Sequence, residues 1–333
     1  MRIIIDCYGG DYCPKEAVAG AIAALNKLPE LSVILTGYSD ELNALLQEYK
    51  YDKGRLEVAA ASEVITNSDS PAKAVMRKKD SSTVVGLKLL NEGRADGMVS
   101  SANTGALLVG GSVILGLSEG VTRAALCPVL PNAKGSYTIL ADGGANIDCR
   151  PEQLGEFAVM GSVYMQAMFN ITSPSVGLLN NGAEPEKGNE QTKDAHKLLT
   201  GIKGINFVGN IECRDLLTGA VDVIVADGFN GNIGIKASEG MGSVLFGLIK
   251  EGIMLGGLRA KLGYILLKPV LKKVKNKMSS DDVGGAVFLG MKKVLVKTHG
   301  SGKAQAFTNA ILKADGMAQG RVPEKIEEGL KYR

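Results

Sequence analysis

Small polar residues and glycines follow several apolar runs of this chain of 333 residues, and they are the residues best suited to chemistry. Residues 100–108 read SSANTGALL, so a buried strand would end just before them and a helix could begin at Thr104. The first backbone N–H groups of a helix have no partner within the helix and attract anions. We therefore predict an anion site at Asn103, Thr104 and Gly105.

Other turns that follow predicted strands carry amide and ammonium groups suited to a carbonyl substrate. Lys187 lies in the turn EPEKGNE and offers a mobile positive charge. Asn146, Asn210 and Asn232 could donate hydrogen bonds to a carbonyl oxygen that becomes an oxyanion. Asn, Asp and Gly are common in turns, so each position alone is more often structural. Their recurrence after many strands favours a shared cleft at the carboxyl ends of the strands.

Several familiar catalytic motifs are missing from the sequence. No GxGxxG follows the first predicted strand, no GxSxG occurs, and THGSGKA departs from a P-loop at Lys297 and Ala304. The chain has two histidines and five scattered cysteines without a CxxC pair. We therefore expect no metal and no cofactor, and we interpret the cysteines as reduced thiols of a cytoplasmic protein.

Composition excludes several classes of partner. A net charge of +3, 5% aromatic residues and the lack of Trp argue against nucleic-acid binding. The N-terminal MRIIIDCYGG is typical of a first strand rather than a signal peptide. No uninterrupted apolar stretch approaches the length of a membrane span.

Strand-like and helix-like segments alternate along most of the sequence. The predicted strands are RIIID (2–6), LSVILTG, GMVSS, AALCPVL, SYTILAD, PSVGLLN, INFVG, VDVIVAD and KVLVKT. The predicted helices cover 14–28, 39–50 with Ser39 as N-cap, 151–170, 190–200, 231–250 and 303–315. This pattern indicates a mostly parallel sheet covered by helices on both faces. No linker or repeat divides the chain, so we expect one α/β domain over residues 1–333.

Residues 253–278 differ from the rest of the chain. Leu255, Leu258 and Leu262 fall at helical spacing among seven basic residues, and no acidic residue occurs from 256 to 278. One interpretation is a pair of basic-faced helices packed on the core. The other is an amphipathic helical projection for an anionic membrane surface or an acidic protein.

Motifs in a fixed order along almost the whole chain carry a family resemblance. They include DCYGGDYCP, MRKKDSSTVVGLKLLNEGRADGMVSSANTGALL, GGANIDCRPEQLGEFAVMGSVY, GLLNNGAEPEKGNE, GNIECRD, DVIVADGFNGNIGIKASEG and KTHGSGKA. In these motifs the sequence resembles the bacterial PlsX family, the phosphate acyltransferases (acyl-ACP:phosphate transacylases) of phospholipid synthesis. It departs from the family's usual residues at Cys7, Tyr8, Ala102 and Cys213.

The resemblance implies a fold and a reaction. The fold would be a three-layer α/β/α sandwich like that of isopropylmalate dehydrogenase and phosphotransacetylase, assembled as a homodimer. The reaction would convert an acyl-[acyl carrier protein] and inorganic phosphate to an acyl phosphate and free carrier protein. The acyl phosphate would then pass to the membrane acyltransferase that acylates glycerol 3-phosphate.

Joined to the turns described above, the resemblance gives a mechanistic hypothesis. Phosphate would sit on Ser100, Asn103, Thr104 and Gly105 and attack the thioester carbonyl directly, because its oxygens are already nucleophilic. Lys187 would offset the charge and Asn232 would donate to the oxyanion. We expect Asn146, Asn210, Asp227 and His299 to contact substrate; His299 could protonate the leaving sulfur, although a lone histidine is more often structural.

The resemblance also gives the basic, apolar stretch two uses. Arg259, Lys261 and the lysines of 272–277 could steer an acidic carrier protein. Apolar residues of the same helix could instead dip into the bilayer. We expect peripheral membrane contact with carrier docking nearby, through Arg259, Lys261, Tyr264, Ile265, Leu266, Leu267 and Lys268.

Three other functions remain open on the sequence alone. An NAD-dependent decarboxylating dehydrogenase would need an acidic Mg²⁺ site, for which Asp142, Asp148 and Asp227 are the candidate ligands. A short-chain phosphotransacetylase would prefer coenzyme A thioesters. A non-catalytic membrane adaptor would keep the amphipathic stretch but would have no need of polar turns after so many strands.

Overall fold

A computed structural model describes residues 1–277 and 284–331, without the side chains of 272, 273 and 275–277. The strands are β1 (Arg2–Asp6), β2 (Ser32–Gly37), β3 (Leu56–Ala60), β4 (Gly97–Ser100), β5 (Ala125–Pro131), β6 (Tyr137–Ala141), β7 (Ser175–Asn180), β8 (Asn206–Glu212), β9 (Val223–Val225), β10 (Ala286–Leu289) and β11 (Val294–Lys297). The helices are α1 (Lys15–Lys27), α2 (Ser39–Leu46), α3 (Pro71–Arg77), α4 (Ser82–Asn91), α5 (Thr104–Gly110), α6 (Pro151–Phe169), α7 (Glu190–Gly201), α8 (Gly228–Leu255), α9 (Gly257–Lys277), α10 (Ala304–Gln319) and α11 (Val322–Leu330).

All these strands form one sheet in the order β3-β2-β1-β4-β11-β10-β5-β6-β9-β7-β8. Neighbouring strands are parallel except in the β11–β10, β10–β5 and β5–β6 pairs. The prediction of a mostly parallel sheet is therefore confirmed. Three successive reversals also mean that β6 to β9 (the second strand group) run opposite to β1 to β4 and β11 (the first strand group).

Helices cover both faces of this sheet, because buried strands alternate their apolar side chains between the two sides. Ile3 and Ile5 belong to a large core with α1, α6 and α10, whereas Ile4 packs on the other face with α4. A third core lies under the second strand group, where Ile235 of α8 packs. The predicted three-layer α/β/α sandwich is confirmed.

Local differences from the prediction have simple causes. Ser39 is the first residue of α2 and the N-cap is Tyr38, so the predicted Ser39 cap is wrong. The sequence analysis missed β3, a partly exposed edge strand, and β10, a run of four residues. It also missed α3, α4 and α11, which are short helices of seven, ten and nine residues.

The stretch 253–278 divides between two helices. Its first residues end α8, and α9 then begins at Gly257, in contact with α8, and runs to Lys277. The buried residues of α8 are glycines of its first turns, and both helices expose many apolar side chains beyond them. Leu258 and Leu266 are 81% and 80% exposed. Met278 lies outside the described residues, as do the side chains of the predicted lysines 272, 273, 275 and 277.

Candidate active site

A buried carboxylate lies at the carboxyl end of the first strand group. Strand register places Asp6, Ser100 and Lys297 side by side on β1, β4 and β11, so their side chains share one face of the sheet. The Asp6 carboxylate accepts the hydroxyl of Ser100 at 2.8 Å and that of Thr83, at the start of α4, at 2.7 Å. We call these four residues the Asp6 cluster. Sequence reasoning missed Asp6, although an acid directly after an apolar strand was its signal.

Burial shifts the pKa values of Asp6 and Lys297 in the Asp6 cluster. Burial raises the pKa of Asp6, and the hydrogen bonds from Thr83 and Ser100 oppose that rise. Burial also lowers the pKa of Lys297 to about 8, with Asp6 acting in the opposite direction. The Lys297 ammonium donates to the carbonyl of Thr298 at 3.2 Å, at the end of β11.

The predicted anion site (the anion turn, 100–105) rests directly on this cluster. Ser100 is fully buried, and its hydroxyl donates to Asp6 while accepting the N–H of Ala102 at 3.1 Å. Ser100 therefore holds the turn from beneath and does not face solvent. Asn103 is the N-cap of α5, and its Oδ1 accepts the N–H of Ala106 at 3.1 Å. Thr104, the first residue of α5, is half-buried.

Ala102 fits closely against the loop that follows β1. Gly9 has a φ of +91°, and a Cβ placed on it would lie 2.7 Å from the Cβ of Ala102. Glycine is required at position 9 for both reasons. The alanine that departs from the family's usual glycine at 102 is thus accommodated by Gly9 and leaves the hydrogen bond to Ser100 intact.

A second buried carboxylate lies at the carboxyl end of β6, in the second strand group. One oxygen of Asp142 accepts the N–H groups of Leu126 at 3.2 Å, Gly144 at 2.9 Å and Ala145 at 3.0 Å. The other accepts the backbone N–H and the side-chain amide of Asn146, both at 2.7 Å. Burial raises the pKa of Asp142 against these hydrogen bonds. We call residues 142–146 the Asp142 cluster.

Asn146 has a structural place in this cluster. Its side-chain amide donates to Asp142 and to the carbonyl of Ala124 at 2.8 Å, so the protein uses the hydrogens that we assigned to substrate. Its own carbonyl accepts the N–H of Gly228, the first residue of α8, at 2.7 Å. A Cβ on Gly231 would lie 2.0 Å from the carbonyl oxygen of Asp142. Only glycine lets α8 approach so closely.

The first turns of α8 place Asp227 and Asn232 differently. Asp227 is buried and caps the helix, because its Oδ1 accepts the N–H of Asn230 at 2.7 Å. Asn232 is exposed, and its amide lies over Gly144: a Cβ there would be 2.8 Å from Nδ2. Of these two predicted residues, Asn232 is the one that presents a free donor to solvent.

Lys187 lies in the loop between β7 and α7, and its side chain is exposed. Its carbonyl accepts the amide of Asn180 at 3.2 Å, and its N–H donates to the carbonyl of Glu184 at 3.1 Å. Asn210 donates to the same Glu184 carbonyl at 2.8 Å, and its Oδ1 is 2.9 Å from Nδ1 of His196. Asn210 thus secures the loop that carries Lys187, and sequence reasoning missed its partner His196.

The structure divides the predicted site residues into two sets. The anion turn and His299, which is exposed and 2.8 Å from the Ser301 hydroxyl, follow the first strand group. The other set follows the second strand group: Asn146, Lys187, Asn210, Asp227 and Asn232. The basic and apolar residues predicted on α9 lie on neither: Arg259, Lys261, Tyr264, Ile265, Leu266, Leu267 and Lys268.

The part of the chain that the structure describes lacks two classes of feature. No group of three or more His, Cys, Asp or Glu residues there could hold a metal ion. None of the described helices combines the length and the apolar character needed to cross a membrane.

Comparison with known proteins agrees with this architecture. The chain matches the family described as "Fatty acid synthesis protein" over residues 1–325. It is 43% identical to a phosphate acyltransferase of Clostridium acetobutylicum over 331 residues, 99% of both chains. It is 42% identical to a phosphate acyltransferase of Clostridium tetani over 99% of this chain and 98% of that one.

Solved structures with the same fold are more distant in sequence. A phosphotransacetylase from Streptococcus pyogenes is 21% identical with a TM-score of 0.61, covering 96% of this chain and 94% of its own. The EutD phosphotransacetylase from Staphylococcus aureus has the same TM-score and the same coverage at 18% identity. These likenesses establish the fold, and the full-length sequence match establishes the family: the chain belongs to the fatty acid synthesis proteins that include the clostridial phosphate acyltransferases.

Proposed function

We propose that this protein is a phosphate acyltransferase that converts an acyl-[acyl carrier protein] and inorganic phosphate to an acyl phosphate and free carrier protein. The observation that carries the proposal is the anion turn at the end of β4, in a chain related over its whole length to proteins named phosphate acyltransferase. The short-chain phosphotransacetylase alternative shares the fold at 21% identity or less, so it is not favoured.

The first strand group would hold the nucleophile. In the first turn of α5, Asn103 already accepts the N–H of Ala106, which leaves the N–H groups of Thr104 and Gly105 to face an anion. A phosphate oxygen then attacks the thioester carbon and needs no general base. The C–S bond breaks as the carbonyl re-forms, and the thiol, with a pKa of ~8.5, leaves as the thiolate.

The second strand group would stabilise the charge that develops during attack. Lys187 would lie between the phosphate and the oxyanion, and the exposed amide of Asn232 would donate to the oxyanion. Five strand-to-strand steps separate β4 from β9. At roughly 20–25° of twist per step, strands that start out opposed end about 55–80° apart in direction. Such a twist would turn both sets of carboxyl ends toward one cleft.

The α8–α9 pair would contact the membrane and form part of the dimer interface. Arg259 and Lys261 lie beside exposed leucines on α9, a combination suited to an anionic bilayer surface. Met241, Val244 and Leu248 on α8 are also exposed, and a second copy of the chain would bury them. We propose a homodimer in peripheral contact with the membrane, where the lipid-tailed product is consumed, and with the carrier protein docking nearby. Flotation with anionic vesicles tests the membrane contact, and binding by Leu266→Glu equal to wild type would contradict it.

One assay tests the reaction directly. Acyl-carrier protein should disappear only when inorganic phosphate is added, and a product that reacts with hydroxylamine should accumulate. Faster turnover of a coenzyme A thioester would indicate the short-chain phosphotransacetylase. An absorbance change of NAD with hydroxy-acids would indicate the dehydrogenase.

A further inference from the structure

A surface pocket of about 420 Å³ lies where β5 begins and α6 begins. It is lined by polar and charged side chains together with one thiol: Thr122, Arg123, Asp148, Cys149, Arg150 and Gln153. None of these residues is used by the mechanism proposed above. The pocket therefore needs its own explanation.

Two guanidinium groups make the lining of the pocket positively charged. Arg123 and Arg150 are both exposed, and neither side chain has a hydrogen bond or ion pair with the described residues. Thr122 is already occupied, since its N–H and hydroxyl donate to Glu156 at 2.8 Å and 3.0 Å. Asp148 is the acidic group of the lining, so the lining as a whole carries a positive charge. Five N–H donors on each arginine are thus available to an anion.

The pocket adjoins the proposed active site through a short path of contacts. The Cys149 thiol lies 3.5 Å from the carbonyl of Asn146, and the same carbonyl accepts the N–H of Gly228 at 2.7 Å. Gly228 begins α8, the helix that carries Asn232 one turn later. A substrate that reaches Asn232 would therefore pass close to the two arginines if its anionic part extends toward α6.

We infer that Arg123 and Arg150 bind a phosphate group of a substrate. The planar guanidinium fork matches phosphate oxygens in two parallel hydrogen bonds, which a single ammonium group cannot do. The inference rests on the proposed function, under which two substrates carry phosphate: the phosphodiester of the carrier protein's phosphopantetheine arm, and inorganic phosphate itself. Because the anion turn already accounts for the inorganic phosphate, we assign the arginines to the phosphodiester.

Three acyl donors test the assignment: acyl-carrier protein, acyl-phosphopantetheine and acyl-pantetheine, which lacks the phosphate. Arg123→Ala and Arg150→Ala should each raise KM about tenfold or more for the two donors that bear phosphate, the size expected for a lost charge-assisted hydrogen bond. KM for acyl-pantetheine should not change. Lys50→Ala, which removes an exposed cation after α2, is the matched control and should leave all three KM values unchanged.

Each other outcome has a defined meaning. A rise in KM for inorganic phosphate with all three donors would keep the phosphate site but assign it to the nucleophile. Unchanged KM values for every donor and for phosphate would overturn the inference. An equal rise in KM for all three acyl donors would overturn it as well. Wild-type protein without phosphate-dependent turnover would contradict the proposed function instead; calorimetric binding of phosphopantetheine, weakened in both variants, would still support the pocket.

Discussion

The Asp6 and Asp142 clusters each hold a buried carboxylate, but they do so with different hydrogen-bond donors. Each has a fully buried carboxylate at the end of a strand, and burial raises the pKa of both. Side-chain hydroxyls from Thr83 and Ser100 donate to one oxygen of Asp6, and a single backbone N–H, that of Tyr8 at 3.3 Å, donates to the other. Asp142 accepts backbone N–H groups from four residues and the side-chain amide of Asn146. A hydroxyl can rotate and become an acceptor, but a backbone N–H cannot. The Asp142 loop therefore depends on an ionised carboxylate more strongly than the Asp6 turn does.

The largest expected effect is a difference in the free energy of unfolding between variants of the two carboxylates. In Asp142→Asn the new amide would face the two donors of Asn146, leaving buried N–H groups unpaired at a cost of about 3 kcal/mol or more. In Asp6→Asn the hydroxyls of Thr83 and Ser100 can turn to accept, so the loss should be about 1 kcal/mol. Urea denaturation of both variants measures the two losses. Equal losses would show that the donor type does not matter.

The next effect separates the residues that follow the two strand groups by kinetics. Lys187→Ala and Asn232→Ala should each lower kcat by on the order of a hundredfold, because both groups are proposed to stabilise the transition state. Asn103→Asp keeps the N-cap acceptor for Ala106 but adds a negative charge to the anion turn. It should raise KM for phosphate about tenfold or more while kcat changes less. Steady-state kinetics with varied phosphate gives both values, and a kcat near wild type in both alanine variants would refute the assigned roles.

A smaller effect tests how Asn210 supports Lys187. Asn210→Leu removes the donor to the Glu184 carbonyl and should lower kcat about tenfold. If Asn210 acts by positioning Lys187, the double variant with Lys187→Ala should be no slower than Lys187→Ala alone. Losses that multiply would mean that the two residues act independently.

The smallest effect concerns the cation of the Asp6 cluster, which the Asp142 cluster lacks. The pKa of Lys297 is lowered to about 8 in the folded protein, so the unfolded chain binds more protons between pH 8 and 10.5. Burying the charged Lys297 therefore destabilises the fold in full below pH 8, and this penalty falls progressively as pH rises from 8 to 10.5. Wild type should gain about 1 kcal/mol more than Lys297→Met between pH 7 and 8.5. Unfolding at both pH values measures this, and identical slopes would contradict the shift.

The secondary-structure elements could be predicted from the sequence more completely than the candidate active site. The succession of β4, a turn and α5 was predictable because an apolar run, a polar turn and a helix start are all local features. Asp6, Ser100 and Lys297 are far apart in sequence, and only strand register brings them together. No local pattern could show this, nor that β6 to β9 run opposite to the first strand group.

The same limit explains the asparagines. Asn146 and Asn210 look like free donors in the sequence, but their acceptors include the carbonyls of Ala124 and Glu184, which belong to other segments. Asn232 and Lys187 remain exposed. Their predicted roles in catalysis are thus compatible with their places in the fold, while Asn146 and Asn210 hold loops.

The central claim is that inorganic phosphate itself cleaves the thioester without an acyl-enzyme stage. Intact-protein mass spectrometry after mixing the enzyme with excess acyl-carrier protein, first without phosphate and then with it, tests this most directly. The account predicts an unmodified enzyme in both samples and free carrier protein only in the second. An added mass equal to the acyl chain, or release of carrier protein without phosphate, would contradict it.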